Sequence, residues 1–354
     1  MIYISHQEFQ IVPIIKADQT EEKIEKIRKL CLKGLNINCP PEDRALAWLS
    51  LLCIYPSNSP YWPFVCQSIT KKYQNIITYF LSGKESIFQM NSTAVHTDQL
   101  LNNIRNDIEN SFHQLLYLVN RDGSNLHSDE EVKLFEMHVF RIQRILYLFS
   151  KVNADIGYLE GLIEIVIPLY YVMYSSSSIF FNNIDYVEAV IYQALEFLLI
   201  STDLIDFFNN DASHMKMKKF DHLLYKNYPK FYKKLNSLNV HTKHYACKWF
   251  RFMFAQEHPI PQILPLWDSI IARLSNLSFY MFCIAISRIK IVKDQIEYDC
   301  TKTKSRILKK DANSSQDKKV LSVLNNIQIM NVYALIEQSC SFYDECKKQM
   351  EKIV

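Results

Sequence analysis

Five glycines in 354 residues leave this chain almost no material for tight hairpins. Two-residue β-turns need positive φ at their centre, which glycine supplies most readily. No run of alternating apolar and polar residues bounded by turn dipeptides occurs, whereas apolar residues recur at three- and four-residue spacing almost throughout. The stretch LFEMHVFRIQRILYLFSKV carries apolar side chains at positions 134, 135, 139, 142, 145, 146 and 149. HTKHYACKWFRFMFAQE and FYMFCIAISRIKIVKDQI keep the same period. EEKIEKIRKLCLKG puts Ile24, Ile27, Leu30 and Leu32 near one face, with Gly34 as a stop, and Asp18 with Glu21 has capping-box spacing. The expected fold is all-α, with many medium-length helices packed side by side.

Hydrophobic residues at 49% and charged residues at 22% give a globular rather than a disordered profile. A net charge of +3 carries no electrostatic footprint for nucleic acid, and Lys216–Lys219 and Lys309-Lys310 read as solvated faces. Nine scattered cysteines, none in a Cys-x-x-Cys pair, read as reduced and mostly buried thiols of a cytoplasmic protein. His241 and His244 lack a third ligand and read as surface or capping residues, so neither a metal nor a cofactor is expected. The N-terminus has no basic start and no small-residue cleavage site, unlike a signal peptide. The two most apolar stretches, 156–174 and 187–208, are interrupted by carboxylates and read as buried core helices, so no membrane span is expected. Along the chain, 1–20 reads as a lead-in, 21–298 as one helical body, 299–318 as a polar linker and 319–354 as a C-terminal helical segment, interrupted near Cys340.

Several enzyme classes are excluded. There is no Gly-x-x-x-x-Gly-Lys-Ser/Thr, no Gly-x-Gly-x-x-Gly and no Gly-x-Ser-x-Gly. Glu160 and Glu164 lie one helical turn apart, but glycosidase carboxylates face each other across a substrate rather than sitting side by side.

The order of the remaining motifs is informative. GLNINCPPEDRALAWLSLL contains Arg44 and Trp48; LLNNIRNDIENSF contains Ile104 and Asp107. RILYLFSKVNADIGYLEG contains Arg144, Gly157, Tyr158 and Gly161, and KWFRFMFAQEHPIPQILPLWDSI contains Trp267 and Asp268. Four such pieces in this order resemble the TBC domain, an all-helical Rab GTPase-activating domain, over roughly residues 30–290. In that family two side chains are donated in trans beside the phosphates of a Rab-bound GTP. An arginine from Ile-x-x-Asp-x-x-Arg neutralises developing charge, and a glutamine from Tyr-x-Gln orients the attacking water. An arginine finger is worth about 10³–10⁵ in rate, mostly through electrostatics in a water-poor site.

This sequence departs at both positions. Asn110 stands where the resemblance places the arginine, and Glu160 where it places the glutamine. Asn110 is neutral, short and without the five-donor guanidinium fork. An ionised carboxylate about 4 Å from a phosphate charge is repelled by roughly 4 kcal/mol at an effective dielectric near 20, and it lacks the amide donor. A plainer reading makes Glu160 a solvated helix-start residue near a positive dipole end. Arg105 lies about 140° around a helix from Asn110 and points elsewhere. Arg121 follows in a loop, and Arg141 and Arg144 lie on the next helix. The resemblance gives Asp107 the task of holding the finger; without an arginine it is open to other partners, Arg144 among them. Arg44 with Trp48, and Trp267 with Asp268, read as scaffold pairs. The expected role is that of a non-catalytic module binding a Rab-family small GTPase, or a subunit of a larger protein assembly, with no nucleic acid. The competing expectation is an active GTPase activator that uses atypical residues, supported by the intact Ile104, Asp107, Gly157, Tyr158 and Gly161.

Overall fold

The computed structural model describes residues 9–17, 22–56, 59–89, 98–304 and 313–351. Among them are sixteen α-helices, joined by loops and short 3-10 turns, and no strand. The Asp18–Glu21 capping box and the Lys309-Lys310 pair lie outside the described residues. The chain divides into two compact units.

The first unit comprises the chain up to Cys31, Leu35–Ser201 and Pro259–Leu264. It contains α1 (Ile11–Lys16), α2 (Lys23–Cys31), α3 (Pro41–Leu51), α4 (Trp62–Leu81), α5 (Gln99–Asn110), α6 (Phe112–Leu115), α7 (Asp129–Val152), α8 (Ile163–Ser175) and α9 (Ile184–Ile200). Helix starts follow local chemistry. Pro41 opens α3 with its φ already set. Ser128 and Glu131 form a reciprocal capping box on α7, and Asn183 caps α9. From Ile163 to Tyr170 every residue of α8 is buried, as is most of α9, and the two pack on each other. A helix that is apolar all round belongs in a core.

At the heart of this unit lies an ion cluster. Glu188, 1% exposed, accepts from Arg144 Nε and Nη2 at 2.7 Å each, from Arg141 Nη1 at 2.5 Å and from the Tyr73 hydroxyl at 2.8 Å. Arg141 also reaches Asp185 at 2.9 Å. Such a carboxylate tolerates burial only because each of its oxygens is engaged by charged or strong donors.

The N-terminal segment is more than a lead-in. The Asp43 carboxylate accepts from the Gln10 and Val12 amides at 2.6 and 2.9 Å, fixing the start of α1 against α3. On α2 the buried residues are Lys23, Ile27 and Cys31, while Ile24 and Leu30 are half-buried. Lys23 points inward because its ammonium donates to the Ile15 carbonyl, which periodicity of apolar residues alone does not register.

The second unit comprises Leu32–Gly34, Thr202–His258 and the chain from Pro265 onward. Its helices are α10 (Asn210–Asn227), α11 (Pro229–Ser237), α12 (Ala246–Arg251), α13 (Leu264–Ile271, all but its first residue), α14 (Leu277–Lys304), α15 (Asn313–Asn325) and α16 (Val332–Glu351). Phe207, Phe220, Phe250 and Phe282 cluster in its core. The polar stretch expected as a linker is helical in its described residues. Helix α14 continues to Lys304 and α15 begins at Asn313. Charged residues suit an exposed helix face as well as a loop. Helix α16 runs through Cys340 without interruption; the break comes earlier, at 326–331, where the Asn331 side chain caps the new helix by accepting from the Tyr333 and Ala334 amides.

Among the described residues, Leu274–Tyr298 alone is long and apolar enough to cross a membrane, with a mean hydropathy of 1.2; 72% of that window is buried inside the protein, as in a core helix. His241 and His244 form a reciprocal cap, and no cluster able to hold a metal ion occurs among the described residues.

Burial makes part of the stability pH-dependent. Desolvation, then the charge of Arg141, pushes His138 down to about 4; desolvation, then Arg288, does the same to His258. Both are neutral in the fold and protonate near 6.5 when unfolded. Their contribution is complete above pH 6.5 and is lost as pH falls toward 4, by up to about 1.4 kcal/mol per pH unit for each histidine. Urea unfolding at steps between pH 7 and 4.5 is expected to show this decline. A flat profile across that window contradicts it.

Candidate functional site

The site is assembled from the end of one helix and the start of another. Helix α5 starts cleanly because the Asp98 side chain accepts from the Leu100 and Leu101 amides, while its second oxygen takes the Tyr147 hydroxyl of α7 at 2.8 Å. Its buried residues, Leu101, Ile104, Asp107 and Ile108, follow helical spacing. At its last turn Glu109 and Asn110 are exposed. Asn110 makes no side-chain hydrogen bond among the described residues.

The second part is the turn that follows α7. The Asn153 carbonyl accepts from the Ile156 and Gly157 amides, the Leu159 carbonyl from Leu162, and the Gly161 carbonyl from Glu164. Gly157 has φ +67 and Gly161 has φ +80, values that disfavour any other residue. A Cβ at Gly157 would meet open space, so the demand there is purely on backbone conformation. Between the glycines, Tyr158 turns inward and Glu160 is exposed.

One carboxylate joins the two parts. Asp107 Oδ2, in a side chain 7% exposed, accepts from the Tyr158 hydroxyl at 2.5 Å and from the Gly161 amide at 2.7 Å. Burial, and then the hydrogen bond to Asp107, pushes the Tyr158 phenol well above its ordinary value, so it remains a donor. A second tie runs alongside: Ser111 Oγ donates to the buried Glu164 at 2.7 Å. Because Asn110 lies one turn beyond Asp107 and Glu160 immediately precedes Gly161, the same clamp carries both exposed tips.

The other residues singled out in the sequence fall elsewhere. Arg144 does not meet Asp107; its guanidinium is held by Glu188, whose bidentate geometry and burial outcompete a carboxylate already occupied by an amide and a phenol. Arg105 donates to the Ile87 and Gln89 carbonyls and to Gln143, away from the tips. Arg121 is exposed and lines a separate cavity with Arg44 and Tyr171. Arg44 donates to the Leu35 and Asn36 carbonyls, and Trp48 is fully buried. In the second unit, Trp267 is fully buried with its indole N–H on the Met253 carbonyl, and Asp268 is equally buried. Reading the sequence missed Ser111 and the structural use of Glu164. The one available signal was a lone carboxylate in an otherwise apolar stretch, which needs a buried partner.

Residues 42–297 match the family model described as the Rab-GTPase-TBC domain. The chain belongs to that family. A TBC domain-containing protein of Schizosaccharomyces pombe is 31% identical over 141 residues, covering 38% of this chain and 22% of that protein. TBC1 domain family member 13 of Homo sapiens is 25% identical over 165 residues, covering 46% of this chain and 40% of that relative. The matched segments thus make up less than half of either relative's length. The crystal structure of the Ypt/Rab-GAP domain of Gyp1p aligns with a TM-score of 0.65 over 95% of this chain and 99% of that one. At 16% identity it establishes the all-α TBC fold alone. In this TBC domain the Asp107 clamp falls inside the matched region.

Proposed function

We propose that this TBC domain docks a Rab-family GTPase without accelerating its GTP hydrolysis, as a binding or scaffold module at the cytoplasmic face of an organelle. The observation that carries the reading is the pair of exposed tips. The positions that correspond by resemblance to the arginine and glutamine fingers hold Asn110 and Glu160, both solvent-facing, on a framework fastened through Asp107, Tyr158 and Gly161. Neither nearby arginine replaces the missing cation: Arg105 is anchored on backbone carbonyls and Arg121 faces another cavity. An acidic tip would oppose the charge that builds on a transferring phosphoryl group. The intact clamp is also what supports the second reading, an activator that uses other residues.

The test is paired. A panel of GTP-loaded Rabs is titrated for binding, and single-turnover hydrolysis is followed with the same proteins. The expected outcome is saturable binding to at least one Rab with hydrolysis raised by less than about twofold. Stimulation of about a hundredfold or more, approaching what a finger supplies, supports the second reading instead. Binding to no Rab leaves the scaffold role alone.

A further inference from the structure

The first unit holds a cavity of about 500 Å³ that takes no part in the Asp107 clamp. Its floor includes the buried Arg44, Val172 and Leu264, and its rim the exposed Asn38, Ser175 and Arg121. The volume falls in the range of small-molecule sites, about 300–1,000 Å³, and far exceeds what a single acidic side chain fills.

Among the described residues, two guanidinium groups and no carboxylate line it. The nearest acidic residues by sequence are committed elsewhere: Glu42 accepts from Ser178 Oγ at 2.9 Å, and Asp43 holds the amides of Gln10 and Val12. Arg44 is fixed from behind, since its Nη2 donates to the Leu35 and Asn36 carbonyls at 3.2 and 2.9 Å. Arg121 makes no side-chain hydrogen bond or ion pair among the described residues. Both arginines line the cavity together with Tyr171, whose phenol value burial raises and their charges lower. One cation pre-positioned by backbone and one free to close is an arrangement suited to an oxyanion, which guanidinium groups bind in bidentate fashion.

We infer that this cavity is a binding site for a phosphorylated polyol, its phosphate between Arg44 and Arg121 and its hydroxyl groups facing Tyr171, Ser175 and Asn38. The inference does not depend on whether the domain activates a GTPase. The same chemistry occurs in soluble sugar or inositol phosphates and in inositol lipid headgroups.

The full chain is titrated calorimetrically with myo-inositol trisphosphate. It is also floated with phosphatidylcholine vesicles, with and without phosphatidylinositol bisphosphate. Saturable binding that weakens as salt rises is expected, and Arg121→Ala is expected to weaken it by at least about tenfold with unchanged Tm. Because Arg121 is exposed, that variant should fold; Arg44→Lys, which keeps the charge but loses the fork, should weaken binding as well. Binding of the soluble probe alone identifies a free phosphate ester as the ligand, and retention on the doped vesicles identifies a lipid headgroup. No binding of either probe at millimolar concentration, or wild-type binding by Arg121→Ala, overturns the assignment.

Discussion

The double variant Asn110→Arg, Glu160→Gln is expected to raise GTP hydrolysis by a bound Rab by a factor on the order of 10²–10⁴ over the wild-type domain. The upper part of that range overlaps what a well-placed arginine finger supplies, about 10³–10⁵. The physical basis is that the substitutions change only the tips. Asn110 is exposed at the end of α5 and Glu160 is exposed in the turn. The clamp that sets their positions uses the Asp107 carboxylate, the Tyr158 hydroxyl and the Gly161 amide, all untouched by the double change. The single variants should do far less. Asn110→Arg alone would add a cation but keep a carboxylate where an amide donor is needed. Glu160→Gln alone would remove a repulsion without adding a cation. Residues that act as a unit are strongly non-additive, so the comparison of singles with the double is itself diagnostic. Retained Rab binding with no gain in hydrolysis by the double variant would show that these positions are not the finger positions.

The second large effect concerns the buried cluster rather than the tips. Glu188→Gln should destabilise the first unit by about 3–5 kcal/mol, the usual consequence of removing one partner from a buried charged network. Arg141 and Arg144 would face a neutral amide with only one acceptor oxygen where two accepting oxygens stood, and Tyr73 would compete for it. Rim positions give the contrast. Asp185, about half exposed, bonds Arg141, and Asp185→Asn should cost well under 1 kcal/mol. Urea-induced unfolding of both variants checks the prediction. A Glu188→Gln protein as stable as the parent would mean that solvent reaches the arginines.

Much of this architecture could be read from residue spacing. The all-α class followed from the three- and four-residue period and from the shortage of glycine. The interior positions of α7, such as Phe135, Val139, Ile142, Ile145 and Leu146, are those the period selects. Periodicity failed where polar groups are buried. Lys23 of α2 faces inward to a carbonyl, and Glu188 lies in the core against the half-buried Arg144, because hydrogen bonds decide their placement and hydropathy does not encode a partner distant in sequence. The polar stretch near the C-terminus read as a linker because charge is shared by loops and exposed helix faces, although α14 and α15 occupy both its ends. At the candidate site, motif order brought Ile104, Asp107, Gly157, Tyr158 and Gly161 into view together. Motif order did not reveal that Asp107 bonds both Tyr158 and Gly161, nor the parallel Ser111–Glu164 contact, since both depend on tertiary approach.

The aspartate that ties helix to turn has a consequence for how this surface changes over time. Since neither neighbouring outward side chain shares in that fastening, mutation pressure on folding cannot see them. Such positions drift, or are recruited to a new partner, at no thermodynamic penalty to the body beneath. A change at either tip therefore leaves the Asp107 fastening beneath it intact.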